Sequence, residues 1–139
     1  MKRKTTSILT LLLTFLLSMT VFFGCSGPKT KVSAFDNNVA FTAQGVEGSP
    51  TMVEFMQQLD EDGELEVRVE NGYIVEINGK ANSDDGMWVL YSTCGSEGVD
   101  NNGKSLDVKG NYYYPTNVSE DQLVVNESQY YIWHFKTAE

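Results

Sequence analysis

SPTMVEFMQQL, residues Ser49 to Leu59, is the stretch in which apolar side chains recur at helical spacing: Met52, Phe55, Met56 and Leu59 stand at i, i+3, i+4 and i+7. Ser49 followed by Pro50 predicts the helix start, with serine as N-cap and proline at the first helical position. Each of the four side chains contributes about 1.5–3 kcal/mol if fully buried, enough to dock a short helix on a sheet. Gly63, inside the acidic run Asp60–Glu64, predicts the stop. The sequence on either side is cut at short intervals by Gly, Asn and Asp and alternates with a period of two. One helix among about six short strands dictates an α+β class. The expected architecture is a small, twisted, mainly antiparallel sheet with one helix, β-grasp-like.

The strands are read from alternation and turn chemistry. VAFTAQ (Val39–Gln44) forms the first. LEVRVENGYIVEIN (Leu65–Asn78) is a hairpin, and a three-residue loop Glu70-Asn71-Gly72 is expected. That loop pairs Val69 with Tyr73, Val67 with Val75 and Leu65 with Ile77 on one face, and leaves Ile74 with Glu66, Arg68 and Glu76 on the other. A two-residue loop would instead set Arg68 opposite Val75. MWVLYS (Met87–Ser92) reads as a strand buried on both faces, Gly95–Lys109 as a long irregular connection and NYYYP (Asn111–Pro115) as a short aromatic strand. Leu123–Val125 and Tyr130–Phe135 flank a turn at Asn126–Gln129. On the last strand Tyr131, Trp133 and Phe135 share one face, and Tyr130, Ile132 and His134 the other.

The N-terminus places the chain. Lys2, Arg3 and Lys4 precede an apolar run from Ile8 to Phe23, and then come Gly24 and Cys25. A charged tip, an apolar core and a small residue before the cut are the parts of a secretory signal. A small residue directly before cysteine resembles the lipobox of bacterial lipoproteins, in which the cysteine is acylated and becomes the first residue of the mature chain. The competing readings are an ordinary signal peptide and an uncleaved anchor. The resemblance implies a leader over 1–24, a lipidated tether over 25–35 and one folded domain over 36–139, held by Cys25 at the extracellular face of the cell membrane. With Cys25 acylated, Cys94 has no disulfide partner and is expected to act as a small apolar side chain at a strand end; a Cys25–Cys94 bridge is the other possibility.

The leader holds three of the ten basic residues and none of the nineteen acidic ones. What remains is strongly acidic, and it repels nucleic acid and anionic surfaces, so neither is an expected electrostatic partner. Membrane attachment then falls to the acyl chain.

Catalytic signals are weak. His134 is the only histidine, which excludes a histidine-rich metal site, and no nucleophile motif accompanies it. The carboxylates are abundant but fit solvated loops. Asp100–Gly103 (DNNG) resembles the start of a calcium loop, yet Gly103 and Lys104 fall at the wrong positions. No catalytic residue, metal or cofactor is expected.

The aromatics are the strongest constellation. NYYYP and QYYIWHF carry rings on both faces, and a single helix covers only one side of a sheet. Some rings should therefore stay accessible, and Trp88, Tyr91, Tyr112, Tyr114 and Trp133 are the candidate ligand-binding residues.

Helix TMVEFMQQL, hairpin GYIVEINGK, strand WVLY and an aromatic last strand follow one another in an order that resembles the transcobalamin-C-terminal-like domain, found in lipoproteins and surface proteins of Gram-positive bacteria. Gly72, Tyr73, Ile77, Asn78 and Gly79 match its hairpin pattern, Trp88 and Tyr91 its W-x-x-Y strand, and Tyr131, Trp133 and Phe135 the spirit of its closing strand. Two features depart from it: a longer Gly95–Gln129 connection, and Glu127-Ser128-Gln129 in place of a Gly-Asp turn. The lipobox-like cysteine, the acidic net charge and the two-faced aromatic strands together point to a membrane-tethered, non-catalytic binding domain for a soluble ligand, corrinoid-like, glycan or peptide. The alternative is an accessory subunit of an envelope or importer complex, whose partner is a protein.

Overall fold

The computed structural model describes residues 27–139. Cys25 and the leader over 1–24 lie outside the described residues. The elements are β1 (Val32–Phe35), β2 (Asn38–Thr42), α1 (Met52–Glu61), β3 (Val67–Glu70), β4 (Tyr73–Ile77), β5 (Lys80–Ala81), β6 (Gly86–Thr93), β7 (Leu106–Val108), β8 (Asn111–Pro115) and β9 (Tyr130–Thr137). They form a six-stranded sheet in the order β1-β2-β9-β6-β8-β7 and a three-stranded sheet β3-β4-β5. Every paired strand is antiparallel. The expected α+β class holds: mainly antiparallel sheet, with a single short helix among the described residues.

The apolar stripe of α1 is buried as its spacing requires, Met52, Phe55, Met56 and Leu59 all lying in the core. The N-cap, however, is Thr51 and not Ser49. Thr51 Oγ1 accepts the Glu54 N–H at 3.3 Å, and Glu54 Oε2 accepts the Thr51 N–H at 2.8 Å. This reciprocal capping box satisfies two orphan donors at once, which Ser49 with Pro50 cannot do. Pro50 is left outside the helix, its carbonyl accepting the Val125 N–H, while the Leu123 carbonyl accepts that of Met52. Leu123–Val125 is thus drawn onto the start of α1 and forms an isolated bridge, Thr51 to Val124, instead of the expected strand.

The β3–β4 hairpin corrects the expected register. Glu70 pairs with Tyr73 across a two-residue Asn71-Gly72 loop, and both loop residues have positive φ, 53° and 81°. Val69 then pairs with Ile74, but Arg68 pairs with Glu76, so Val75 is an extra residue on β4. This β-bulge removes the conflict that an even two-residue hairpin would have. It swings Glu76 opposite Arg68, whose Nε–H donates to Glu76 Oε2 at 3.0 Å, and it returns Ile77 to the core beside Ile74. Tyr73, expected inside, is 53% exposed.

The expected tether over 25–35 ends earlier than its composition suggests. Thr30 is buried, its Oγ1 donating to the Gln44 carbonyl at 2.9 Å and accepting the Gln44 N–H at 2.7 Å. β1 then pairs in full with β2. The folded part therefore begins at Thr30. Likewise, the connection read as irregular to Lys109 ends in β7, which pairs with β8.

The large sheet has two unlike faces. One carries Val39, Phe41, Trp88, Leu90, Tyr131, Trp133 and Phe135 and packs on α1 and the small sheet. The other gathers a second cluster around Ala40, Tyr91 and Ile132, with Phe35, Leu106, Val108, Tyr113 and Tyr130 packed against it. All six strands contribute to that second cluster. A flat six-stranded sheet would hold its edges about 24 Å apart, beyond side-chain reach. The sheet is instead curled into a half-barrel with this second face inside the curl.

Candidate functional site

The five aromatic candidates do not converge. Trp133 is fully enclosed in the main core, and Trp88 lies beside it with its indole N–H donating to the Lys80 carbonyl at 2.7 Å. Both are packing residues. Tyr91 projects to the opposite side and is buried within the curl. Tyr112 is 60% exposed, and Tyr114 is half-buried opposite Ser92, on the side away from the curl. Accessible rings are thus fewer than the two-faced strands suggested, because the sheet covers its second face with its own edges.

The inside of the curl is nevertheless a distinct chemical surface. Strand register places Ser33, Phe35, Asn38, Ala40 and Thr42 there from β1 and β2, and Tyr130, Ile132, His134 and Lys136 from β9. β6 adds Met87, Val89, Tyr91 and Thr93, and β8 and β7 add Tyr113, Leu106 and Val108. No strand position on this face is a carboxylate. Its rings touch: Tyr113 and Tyr130 lie 5.3 Å apart, and Tyr91 meets the His134 ring edge-on at 6.2 Å. Burial raises the Tyr91 hydroxyl above its ordinary pKa, and burial followed by the neighbouring Tyr113 does the same for Tyr130. His134 is pushed down by burial and then by Lys80 and Lys136, and its Nδ1 is hydrogen-bonded to Asn38 Oδ1 at 2.8 Å. All of these groups are neutral at neutral pH.

The charged side chain at a strand position of this face is Lys136, and the loops around it bring both signs, with Asp84 and Glu139 lining the cleft beside Met87. Lys109 Nζ sits over the Phe35 ring, Lys136 projects from β9 beside Met87, and Lys104 lines the same cleft as those two. Lys29 and Lys31 line a second cleft over β1, β2 and β9. The two remaining described cations lie elsewhere: Arg68 pairs with Glu70 and Glu76, and Lys80 covers Phe135 on the core side.

Two further expectations resolve locally. Cys94 is exposed, just beyond the end of β6, with no disulfide partner among the described residues, and is not a packing residue. Asp100 uses its carboxylate to accept the Asn102 N–H at 3.0 Å, which makes the DNNG segment a hydrogen-bonded turn. Among the described residues no group of three or more His, Cys, Asp and Glu is arranged to hold a metal.

Sequence reasoning missed Phe35, Lys29, Lys31, Ser33 and Tyr130 as site residues. The signal lies in KVSAF (Lys31–Phe35), whose alternation is that of a strand although the segment before it has the composition of a tether. Comparison with protein-family models, curated proteins and solved structures finds no match.

Proposed function

We propose that this chain is a lipid-anchored extracellular protein whose domain binds a soluble ligand without converting it, and that the ligand meets the curled face of the six-stranded sheet. The observation that carries the reading is the separation of charge: in a chain of net charge −9, the strand positions of one sheet face hold aromatics, hydroxyls and lysine but no carboxylate. A solvated face of such a chain would share in the acidic surplus. Corrinoid-like molecules, glycans and peptides are the ligand classes in view, and among them those with an apolar body and an anionic group suit rings bordered by lysines.

The hairpin Tyr73–Ile77, the Trp88–Tyr91 strand and the aromatic β9 support grouping the domain with the transcobalamin-C-terminal-like type. The Gly24-Cys25 pair supports acylation at Cys25 and a place at the outer face of the cell membrane. The reading without turnover is supported by the engagement of the His134 Nδ1 with Asn38 Oδ1 at 2.8 Å.

Calorimetric screening of the protein against corrinoids, glycans and acidic peptides tests the reading. A ligand is expected whose binding is weakened by Tyr113→Ala and Lys109→Glu but not by Tyr73→Ala, which removes an exposed ring from the small sheet. No ligand from any class, together with a stoichiometric envelope protein recovered from membranes, would transfer the assignment to an accessory subunit.

A further inference from the structure

Surface clefts among the described residues differ in their charge. The one beside α1 sets Glu47, Asp62 and Glu127 against Lys29, the one under the helix end carries Asp60 and Glu66, and the one at Met87 sets Asp84 and Glu139 against Lys104 and Lys136. A fourth, of about 320 Å³, contains no carboxylate: Lys29, Lys31, Ser33, Thr42, Gln44 and Tyr130 line it. Register explains how these meet. Thr42 pairs with Tyr130, and Ser33 pairs with Ala40 two residues along β2, so three hydroxyls stand on one face of β1-β2-β9. The buried Thr30 fixes the segment between Lys29 and Lys31 through its two bonds to Gln44, which holds both lysines at the rim.

We propose that this cleft binds a phosphate group, a monoester or diester carried by a membrane headgroup or by a soluble molecule. The proposal rests on the reading that the ligand meets the curled face, and it assigns the anionic part of that ligand. Two ammonium groups, three hydroxyls and an amide offer more donors than the two oxygens of a carboxylate take up in one plane; the tetrahedrally arranged oxygens of a phosphate accept from several directions. Lysine serves here as a point charge, and hydroxyl donors supply direction. Position favours the headgroup as source. Lys29 stands four residues after Cys25, a span of at most about 14 Å when extended, so acylation at Cys25 brings the cleft to the headgroup layer.

The test uses the full chain in neutral detergent. Each lysine's reactivity toward an amine-acylating reagent is read by mass spectrometry as inorganic phosphate is added, with chloride at matched ionic strength as control. Lys29 and Lys31 are expected to lose reactivity severalfold in phosphate while Lys80 and Lys136 do not. Equal loss at every lysine, or none at Lys29 and Lys31, overturns the proposal. Ser33→Ala combined with Thr42→Val keeps both charges and is expected to abolish the protection; protection unchanged in that variant also overturns it. In a second arm the chain is placed in phosphatidylcholine vesicles with or without phosphatidylglycerol. Protection in either vesicle without added phosphate, stronger with phosphatidylglycerol, assigns the headgroup, and protection by added phosphate alone assigns a soluble phosphoester. The wider binding reading is tested at Tyr113 and Lys109, outside this cleft, so either can fail while the other stands.

Discussion

Lys109 Nζ, just past one edge strand of the six-stranded sheet, lies 5.5 Å from the centre of the Phe35 ring at the end of the opposite edge strand. The contact is the clasp of the half-barrel. It explains why Tyr91, on the face turned away from α1, is buried all the same. Phe35→Ala removes a half-buried ring from the second cluster and is expected to cost about 1–2 kcal/mol, below the 3–5 of a fully buried site. Lys109→Ala is expected to cost about 0.5 kcal/mol, the value of a partly exposed cation–π pair. Hydrogen exchange locates the effect: amides of β7 and β8 should lose protection in Phe35→Ala while those of α1 keep theirs.

Gly86 opens β6 where a side chain has no room. A Cβ there would lie 2.6 Å from the Lys136 carbonyl oxygen and 2.6 Å from the Phe135 ring. Neither can move freely, since Phe135 is packed edge-on against Trp88 at 5.3 Å and carries the Lys80 ammonium at 3.9 Å. Gly86→Ala is expected to destabilise by about 2 kcal/mol or more, an overpacking cost at the strand register itself. Gly79→Ala, with open space around its Cβ but a φ of 77°, should cost less, about 1 kcal/mol from backbone strain. Chemical denaturation of the two variants ranks them.

Glu120 is held above the ordinary carboxylate pKa, first by burial and then by the neighbouring Asp121, against a lowering hydrogen bond from its own backbone. Its Oε2 is buried with no hydrogen-bond partner among the described residues. The folded chain therefore keeps this proton over a pH range in which the unfolded chain has lost it. The stability it contributes is whole below the unfolded value and is lost as pH rises through the folded one. Glu120→Gln, which carries no charge to desolvate, is expected to be more stable than the parent near neutral pH. The gap should close as pH falls into the ordinary carboxylate range, which paired melting curves across pH would show.

His134 titrates with the opposite sign. Burial, then Lys80 and Lys136, hold its pKa below 6.5, so between the folded and unfolded values the unfolded chain binds the extra proton. Stability from this group is whole above the unfolded value and declines as pH falls below it, until the folded imidazole also protonates. His134→Gln preserves a polar partner for Asn38 and should flatten the decline just below pH 6.5 without altering the effect assigned to Glu120. Subtracting each variant's stability profile from that of the parent separates the two groups.

What the sequence discloses divides along the distance over which each feature is decided. The helical stripe of Met52, Phe55, Met56 and Leu59, and the single inward face of Tyr131, Trp133 and Phe135, are properties of neighbouring residues and are legible directly. The cap shifts by two positions because Thr51 finds Glu54, a choice between two acceptable local signals. The curl is not legible, because it depends on Phe35 and Lys109 meeting across a whole sheet. Without it the strand KVSAF reads as tether, and the burial of Tyr91 and the lysine-rimmed face inside the curl stay hidden. The candidate site was visible only as an excess of aromatic residues.

The β3–β4 hairpin shows how an even alternation misleads by one residue. Apolar matching favoured a three-residue loop, but Asn71 and Gly72 both adopt positive φ, as a two-residue turn of right-handed twist demands, and the mismatch is absorbed at Val75. Deleting Val75 removes the bulge and leaves an even two-residue hairpin in which Val69–Ile74, Arg68–Glu76 and Val67–Ile77 stay paired and Ile77 keeps its buried face. The expected cost is about 1–2 kcal/mol, from the lost half-buried side chain and from the Asn82 N–H that the Val75 carbonyl accepts at 2.8 Å. Val75→Thr keeps the extra residue and should cost less than about 1 kcal/mol at this half-buried position. Loss of hydrogen-exchange protection at Ile77 on deletion would mean that the bulge, and not the pairing of the flanking residues, sets the register.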